Sequence, residues 1–207
     1  VLRILAVAAN PVDEAPLGWQ NEIALLKEAV EPLVKLGRVE LVTCEHATRE
    51  KLHMALVESQ PAVVHLIGHA SYDVSEQQGY FVMENESRRS VYLDATEVAR
   101  LLRRYGTSAV VLNACESARG IWAGLAPTLV RADIPAVVAM QWPIEDRAAV
   151  TFSKAFYRTL AAGRTIDECV AEGRVAMDTA APHSLMWAAP VLFIRALDGQ
   201  LWAPEST

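Results

Sequence analysis

A histidine and a cysteine follow two predicted strands at the points where those strands end. His69 comes just after the apolar run 62–67, and Cys115 comes just after the apolar run 108–112. A neighbouring imidazole can raise the thiolate fraction of a cysteine, or later protonate a leaving amine. The pair therefore indicates thiol nucleophilic catalysis, with amide groups of the surrounding loops completing an oxyanion hole.

The remaining cysteines and His65 have simpler structural interpretations, and a metal site is the alternative for the pair. Cys44 and Cys169 have no histidine at a matching strand end, so we expect core or helix-face thiols. His65 lies within an apolar strand and is expected to be a packed, hydrogen-bonded core residue. His65, His69 and Cys115 lack a fourth ligand at zinc-like spacing, so neither a metal nor a cofactor is predicted.

The elements that must position His69 and Cys115 alternate between short apolar runs and longer amphipathic ones. Strands that alternate with helices pair in parallel through right-handed crossovers, with helices on both faces of the sheet. The sequence thus predicts one α/β domain over residues 1–207, with an open, mostly parallel six-stranded sheet and a small β-hairpin insertion. The predicted strands are 2–8, 39–44, 62–67, 108–112, 136–140 and 190–195, the hairpin is 79–83 with 90–93, and the helices are 17–36, 48–59, 94–104, 122–131, 145–162 and 165–179.

Composition excludes several functional classes. The 207 residues are 52% hydrophobic and carry a net charge of −6. No run of Lys or Arg exceeds two residues, which argues against nucleic-acid binding and against a polybasic membrane anchor. No apolar stretch approaches the ~18 residues of a membrane span. Three cysteines favour a reducing compartment, and we expect a cytoplasmic protein. Because the chain begins with Val1, we expect it to be excised from a longer protein.

Sites in open parallel sheets form outside the carboxyl ends of the strands. The candidate substrate-binding residues at those ends are Asn10, Asn113, Gln141, Trp142 and Asp146. Trp142 either lines a pocket or plugs the top of the sheet, and pocket lining is favoured. Asp146 either accepts a basic substrate side chain or caps the helix that follows.

The motifs around these residues occur in an order typical of one family. The chain resembles the CHAT family, caspase-like peptidase domains related to caspases, metacaspases and separases. The resemblance implies a caspase-like sheet, a catalytic dyad of His69 and Cys115, and fusion or binding to TPR-type or other sensor regions in bacteria. The motifs are HLIGH at 65–69, LDA at 93–95, VLNACES at 111–117, AMQWPIED at 139–146 and FY at 156–157 with Leu160 and Gly163.

One residue departs from the family pattern. The position after the dyad histidine is usually Gly and is Ala70 here. The family implies that the backbone N–H groups of Ala70 and Cys115 bind the oxyanion. Alanine keeps that N–H, but a left-handed backbone there would cost about 1 kcal/mol more than with glycine.

Two functions of different classes follow. The first is a cysteine endopeptidase that cleaves a partner protein in a bacterial regulatory or defence pathway. The second is a catalytically weak or inactive signalling or scaffold module that binds partners through the same cleft, which Ala70 would favour. The expected partners are a protein or peptide substrate and a TPR-type or other sensor region in cis or in trans.

The resemblance also bears on specificity. In related enzymes the position two before the cysteine, Asn113 here, helps to select the substrate residue before the cut. Asn113 and the other rim amides are neutral, so we expect a neutral residue there, with Asp146 as the alternative source of selection for a basic residue.

Overall fold

The computed structural model describes residues 1–73, 75–76, 78–113 and 122–202. Strands in these ranges are β1 (Leu2–Ala8), β2 (Val39–Cys44), β3 (Val63–Ile67), β4 (His69–Asp73), β5 (Gln78–Glu84), β6 (Ser90–Asp94), β7 (Ala109–Asn113), β8 (Ala136–Met140) and β9 (Pro190–Ile194). The helices are α1 (Trp19–Lys35), α2 (Arg49–Ser59), α3 (Ala95–Arg104), α4 (Trp122–Arg131), α5 (Asp146–Ala161) and α6 (Ile166–Ala180). None of the helices described in these ranges combines the length and apolarity needed to cross a bilayer.

Six strands form the main sheet, in the order β2-β1-β3-β7-β8-β9. All neighbours pair in parallel except β8 and β9, which are antiparallel. The exception follows from connectivity, because two successive helices, α5 and α6, reverse the chain once more before β9. The predicted mostly parallel six-stranded sheet is confirmed.

Both faces of this sheet are covered, so successive strand residues are buried on opposite sides. Helices α2, α3 and α4 cover one face, and α1, α5 and α6 cover the other. Burial on both faces requires nearly continuous apolar strands, which is why β1, β3 and β8 lack polar alternation. Residues packed on the first face include Leu5, Val7, Val64, Leu66, Val110 and Leu112, and those on the second include Ile4, Ala6, Val63, Ala109, Val111 and Val138.

The predicted hairpin is part of a larger feature. Strands β4, β5 and β6 form a separate three-stranded antiparallel sheet, of which the sequence predicted only the β5 and β6 strands. The chain passes from one sheet to the other at Gly68. A Cβ there would lie 2.9 Å from the Phe81 ring and 3.2 Å from the Ala9 carbonyl oxygen, so the close approach requires glycine.

Side chains cap the starts of α2, α3 and α6. Asp94 accepts a hydrogen bond from the Glu97 N–H at 2.7 Å, as its spacing predicted. The reciprocal half of a capping box is not formed there, because the Glu97 carboxylate pairs with Arg49. A complete capping box occurs instead between Thr165 and Glu168 at the start of α6.

The packing of α5 against α6 yields a prediction at Gly173. Helix propensity alone would make Gly173→Ala stabilising by about 1 kcal/mol. A Cβ at this position would lie 2.5 Å from the ring of Phe152, which is buried and stacked on Phe156. We therefore expect Gly173→Ala to lower the free energy of unfolding by ~1–3 kcal/mol in urea denaturation.

The control is Glu172→Ala, an exposed substitution on the same helix, which should change stability by less than about 0.5 kcal/mol. Stabilisation by Gly173→Ala would show that α5 and α6 do not approach this closely.

Candidate functional site

His69 is held at the carboxyl edge of the main sheet. It is the first residue of β4, one glycine beyond the end of β3, and its side chain is buried. Its Nε2 lies 2.8 Å from the carbonyl oxygen of Ala15. Because a carbonyl oxygen only accepts, Nε2 carries the proton and donates it. In the neutral ring, Nδ1 is then the basic nitrogen.

The strand that leads to Cys115 lies beside the strand that leads to His69. β3 and β7 pair in parallel, with Ile67 opposite Asn113 at the carboxyl ends. This confirms the predicted adjacency of the two strands. Cys115 itself follows β7 in sequence and lies outside the described residues, so its pairing with His69 stays a prediction.

Ala70 has the backbone of an ordinary strand residue. It lies in β4 opposite Phe81. Its φ is not positive, whereas positive values occur at described non-glycine residues such as His46 and Arg88. The conformational cost expected for alanine in a left-handed backbone therefore does not arise. The role of the Ala70 N–H in oxyanion binding stays a prediction.

Two of the predicted rim amides are hydrogen-bonded within the protein. The Asn10 Oδ1 accepts from the Leu17 N–H at 3.1 Å, and the Gln141 Nε2 donates to the Ala188 carbonyl at 3.0 Å. Asn113 ends β7, but its side chain lies outside the described part of the chain. The three residues lie at or just after the carboxyl ends of the parallel strands β1, β7 and β8 of the main sheet.

The other two rim residues are Trp142, in the connection between β8 and α5, and Asp146, at the start of α5. Trp142 is 38% exposed, so part of its ring is accessible, and its role in lining a pocket stays a prediction. Asp146 is the first residue of α5 and makes no capping hydrogen bond, so its capping alternative is limited to the favourable position of its negative charge in the first turn of the helix. Its Oδ2 instead accepts from the Asn21 Nδ2 at 2.9 Å, which joins the starts of α1 and α5.

A small cavity of about 60 Å³ lies between α1 and α5, next to the hydrogen bond between Asn21 and Asp146. Its polar lining includes Glu22, Asp146, Ser153 and His65. The His65 Nδ1 lies 3.0 Å from the Tyr157 hydroxyl, and its Nε2 has no hydrogen-bond partner among the described residues. Burial lowers the pKa of His65 to about 4. The predicted core histidine is confirmed, and its ring is neutral at physiological pH.

Both described cysteines are inert core thiols, as predicted. Cys44 and Cys169 are buried. Burial raises the pKa of Cys44 to about 11 and that of Cys169 to about 12, which keeps both thiols protonated at neutral pH. Since the thiolate is the nucleophilic form, neither residue competes with Cys115 for a catalytic role.

A sequence model of the CHAT domain matches residues 5–195. The chain belongs to the CHAT domain family. No protein of the curated set matches it by sequence. The Drosophila initiator caspase Dronc is similar in structure, with a TM-score of 0.54 and 9% identity over 95% of this chain and 80% of that one. The fold of this CHAT domain is therefore caspase-like.

The Saccharomyces cerevisiae separase in complex with securin also shows similarity to the CHAT domain. The TM-score is 0.49 with 17% identity, over 93% of this chain and 12% of that chain.

Sequence reasoning missed Ala15, which contacts the His69 imidazole of the CHAT domain. Ala15 acts through a backbone carbonyl, so its residue type carries no chemical signal. The only sequence hint is the nine-residue segment 10–18 between β1 and α1, which contains two prolines and is long enough to fold back over the strand ends.

The buried His65 makes the stability of the CHAT domain depend on pH. The pKa of His65 is about 4 in the folded state and about 6.5 when unfolded, so the unfolded chain binds the extra proton. Stability is thus lost as pH falls from about 6.5 to about 4, by on the order of 3 kcal/mol. We expect His65→Gln to remove this part of the pH dependence, as measured by urea denaturation across that range.

His53→Gln is the matched control, because His53 also contacts a tyrosine hydroxyl, that of Tyr105, but is exposed. This variant should retain the wild-type pH profile. An unchanged profile in His65→Gln would mean that His65 is not neutral and buried in the folded protein.

Proposed function

We propose that this CHAT domain is a cysteine endopeptidase with His69 and Cys115 as its catalytic dyad. The observation that carries the proposal is the buried His69, fixed through Nε2 to the Ala15 carbonyl at the sheet edge where β7 leads to Cys115. This bond leaves Nδ1 as the nitrogen that accepts the proton of the Cys115 thiol. The carbonyl oxygen, the negative end of a dipole, then stabilises the imidazolium that forms.

The reaction proceeds in two steps: formation of a thioester with release of the amine, and hydrolysis of that thioester. The Cys115 thiolate forms a C–S bond to the peptide carbonyl carbon, and the oxyanion is held by the N–H groups of Ala70 and Cys115. Collapse of this intermediate breaks the C–N bond, and the amine leaves with the proton from His69 Nδ1. Water, deprotonated by His69, then hydrolyses the thioester and restores the thiol.

We propose a protein or peptide substrate and a bacterial setting under the control of a TPR-type or other sensor region, as the family resemblance implies. The low cysteine count favours a cytoplasmic location. The alternative function, a signalling or scaffold module with little or no catalysis, was favoured by the backbone strain expected at Ala70. Since Ala70 is an ordinary strand residue, no described feature of the site now favours that alternative.

The dyad predicts loss of cleavage without loss of fold. Cys115→Ala should abolish cleavage of the natural partner protein, and His69→Gln should lower kcat by about 10²–10⁴ because the general acid is lost. Labelling by a thiol-directed peptidyl electrophile should modify Cys115 once and be absent from Cys115→Ala. The measurement is intact mass together with cleavage rate.

Cys44→Ala is the control, since its buried thiol has a raised pKa and should contribute nothing to labelling. Cleavage by Cys115→Ala at the wild-type rate would show that the nucleophile is assigned to the wrong residue.

A separate prediction concerns the residue before the scissile bond. Among the predicted rim residues there are three amides and an exposed Trp142, and the charged one, Asp146, is already bonded to Asn21. A charged substrate side chain buried without a partner would cost several kcal/mol. We expect a peptide library to show selection of a neutral residue, unchanged in Asp146→Asn. Selection for Arg or Lys that disappears in Asp146→Asn would make Asp146 the specificity residue.

A further inference from the structure

The loop of residues 10–18 presents the Ala15 carbonyl to His69. The loop folds against the sheet of β4, β5 and β6. Residues of the β5–β6 hairpin form hydrogen bonds with several residues of the loop. The loop contacts are Asn10 N–H to Glu84 Oε1, Val12 N–H to the Arg88 carbonyl, Ser90 N–H to Asp13 Oδ1 and Tyr92 hydroxyl to Glu14 Oε1, each at 2.8 Å.

Glu84 is at the centre of these contacts. Its side chain has no exposure to solvent, and besides Asn10 it contacts Arg88 Nε and His46 Nδ1, each at 3.2 Å. A buried carboxylate is unfavourable unless it is paired and hydrogen-bonded. The partners of Glu84 come from three segments: the end of β1, the β2–α2 connection and the β5–β6 turn. The carboxylate therefore fixes the three segments relative to one another.

Hydrogen bonds hold the loop on both sides of Ala15. Glu14 is bonded to Tyr92, and Leu17 donates to the side chain of Asn10, whose own N–H is bonded to Glu84. A displacement of the loop by 1 Å would stretch the 2.8 Å bond between Ala15 and His69 beyond hydrogen-bond range. The imidazole would then lose both its fixed tautomer and its orientation.

We propose that Glu84 is a positioning residue for His69, acting through the 10–18 loop, and that Tyr92 supports it from the same hairpin. The kinetic part of this inference rests on the proposed peptidase function. The effect on the His69 ring does not depend on it.

The test compares three variants. Glu84→Gln removes the buried charge and one acceptor at nearly constant shape. Tyr92→Phe removes a single hydroxyl from the protein surface, which keeps the test valid if Glu84→Gln folds poorly. Tyr80→Phe is the matched control, because the Tyr80 hydroxyl donates at 2.8 Å to Glu76 within the same sheet, and its ring contacts that of Tyr92.

The first measurement is NMR of protein with ¹⁵N-labelled imidazole rings. We expect wild type and Tyr80→Phe to show a single Nε2–H tautomer for His69. Glu84→Gln and Tyr92→Phe should shift the ¹⁵N resonances of His69 towards averaging of the two tautomers, with circular dichroism unchanged. A His69 spectrum unaffected in both variants overturns the proposal, whether or not the protein cleaves peptides.

The second measurement is cleavage of a peptide substrate selected from the peptide library. We expect kcat to fall about 10–100-fold in Glu84→Gln and several-fold in Tyr92→Phe, with KM nearly constant, because the loss is in orientation of the catalytic group. Tyr80→Phe should remain within about twofold of wild type. An equal loss of kcat in Tyr80→Phe would indicate general weakening of the hairpin and overturn the role of the loop contacts. Absence of cleavage by wild type would count against the peptidase function alone, since the NMR result would still decide the positioning role.

Discussion

The hydrogen bond from His69 Nε2 to the Ala15 carbonyl is the contact on which the site depends. It determines which ring nitrogen is basic, and it joins the start of the second sheet to the loop that leaves the first strand. Several other features serve it. Gly68 lets the chain turn from β3 into β4 beneath the Phe81 ring, and the three-stranded sheet in turn supports the loop.

The main sheet provides the rigid base for this contact. Its central strands are buried on both faces, so the carboxyl ends of β1, β3, β7 and β8 emerge together from close-packed surroundings. Polar groups that follow these strands are confined to one edge, because His65 is the only buried polar residue among the residues of these strands whose burial is described. Tyr157 provides the hydrogen bond that makes His65 tolerable there.

The parts of the fold that sequence could predict are those fixed by apolar patterning. β1, β2 and β8 match their predicted bounds, and α1 and α5 agree within two residues, because continuous apolar runs end at Gly, Pro or polar residues. β4 was missed, since three of the five residues in HASYD are polar and the segment becomes a strand by pairing with β5. In the site, His69 could be located because functional residues of open parallel sheets follow the carboxyl ends of the strands. The same reasoning could not locate Ala15, which contributes a main-chain atom, or Glu84, which reads as the edge of a polar turn.

The loop contacts also bear on the order in which the domain assembles. Asn10 and Glu84 are 74 residues apart in the chain, and the Asp13–Ser90 and Glu14–Tyr92 contacts span 77 and 78 residues. Contacts at such separations form late, because the entropy of closing large loops must be offset first. During synthesis, the Ala15 carbonyl is thus without its full support until β6 has emerged. A nascent or partly unfolded chain has no oriented imidazole, so the geometry of the candidate site is reached only together with the completed tertiary structure.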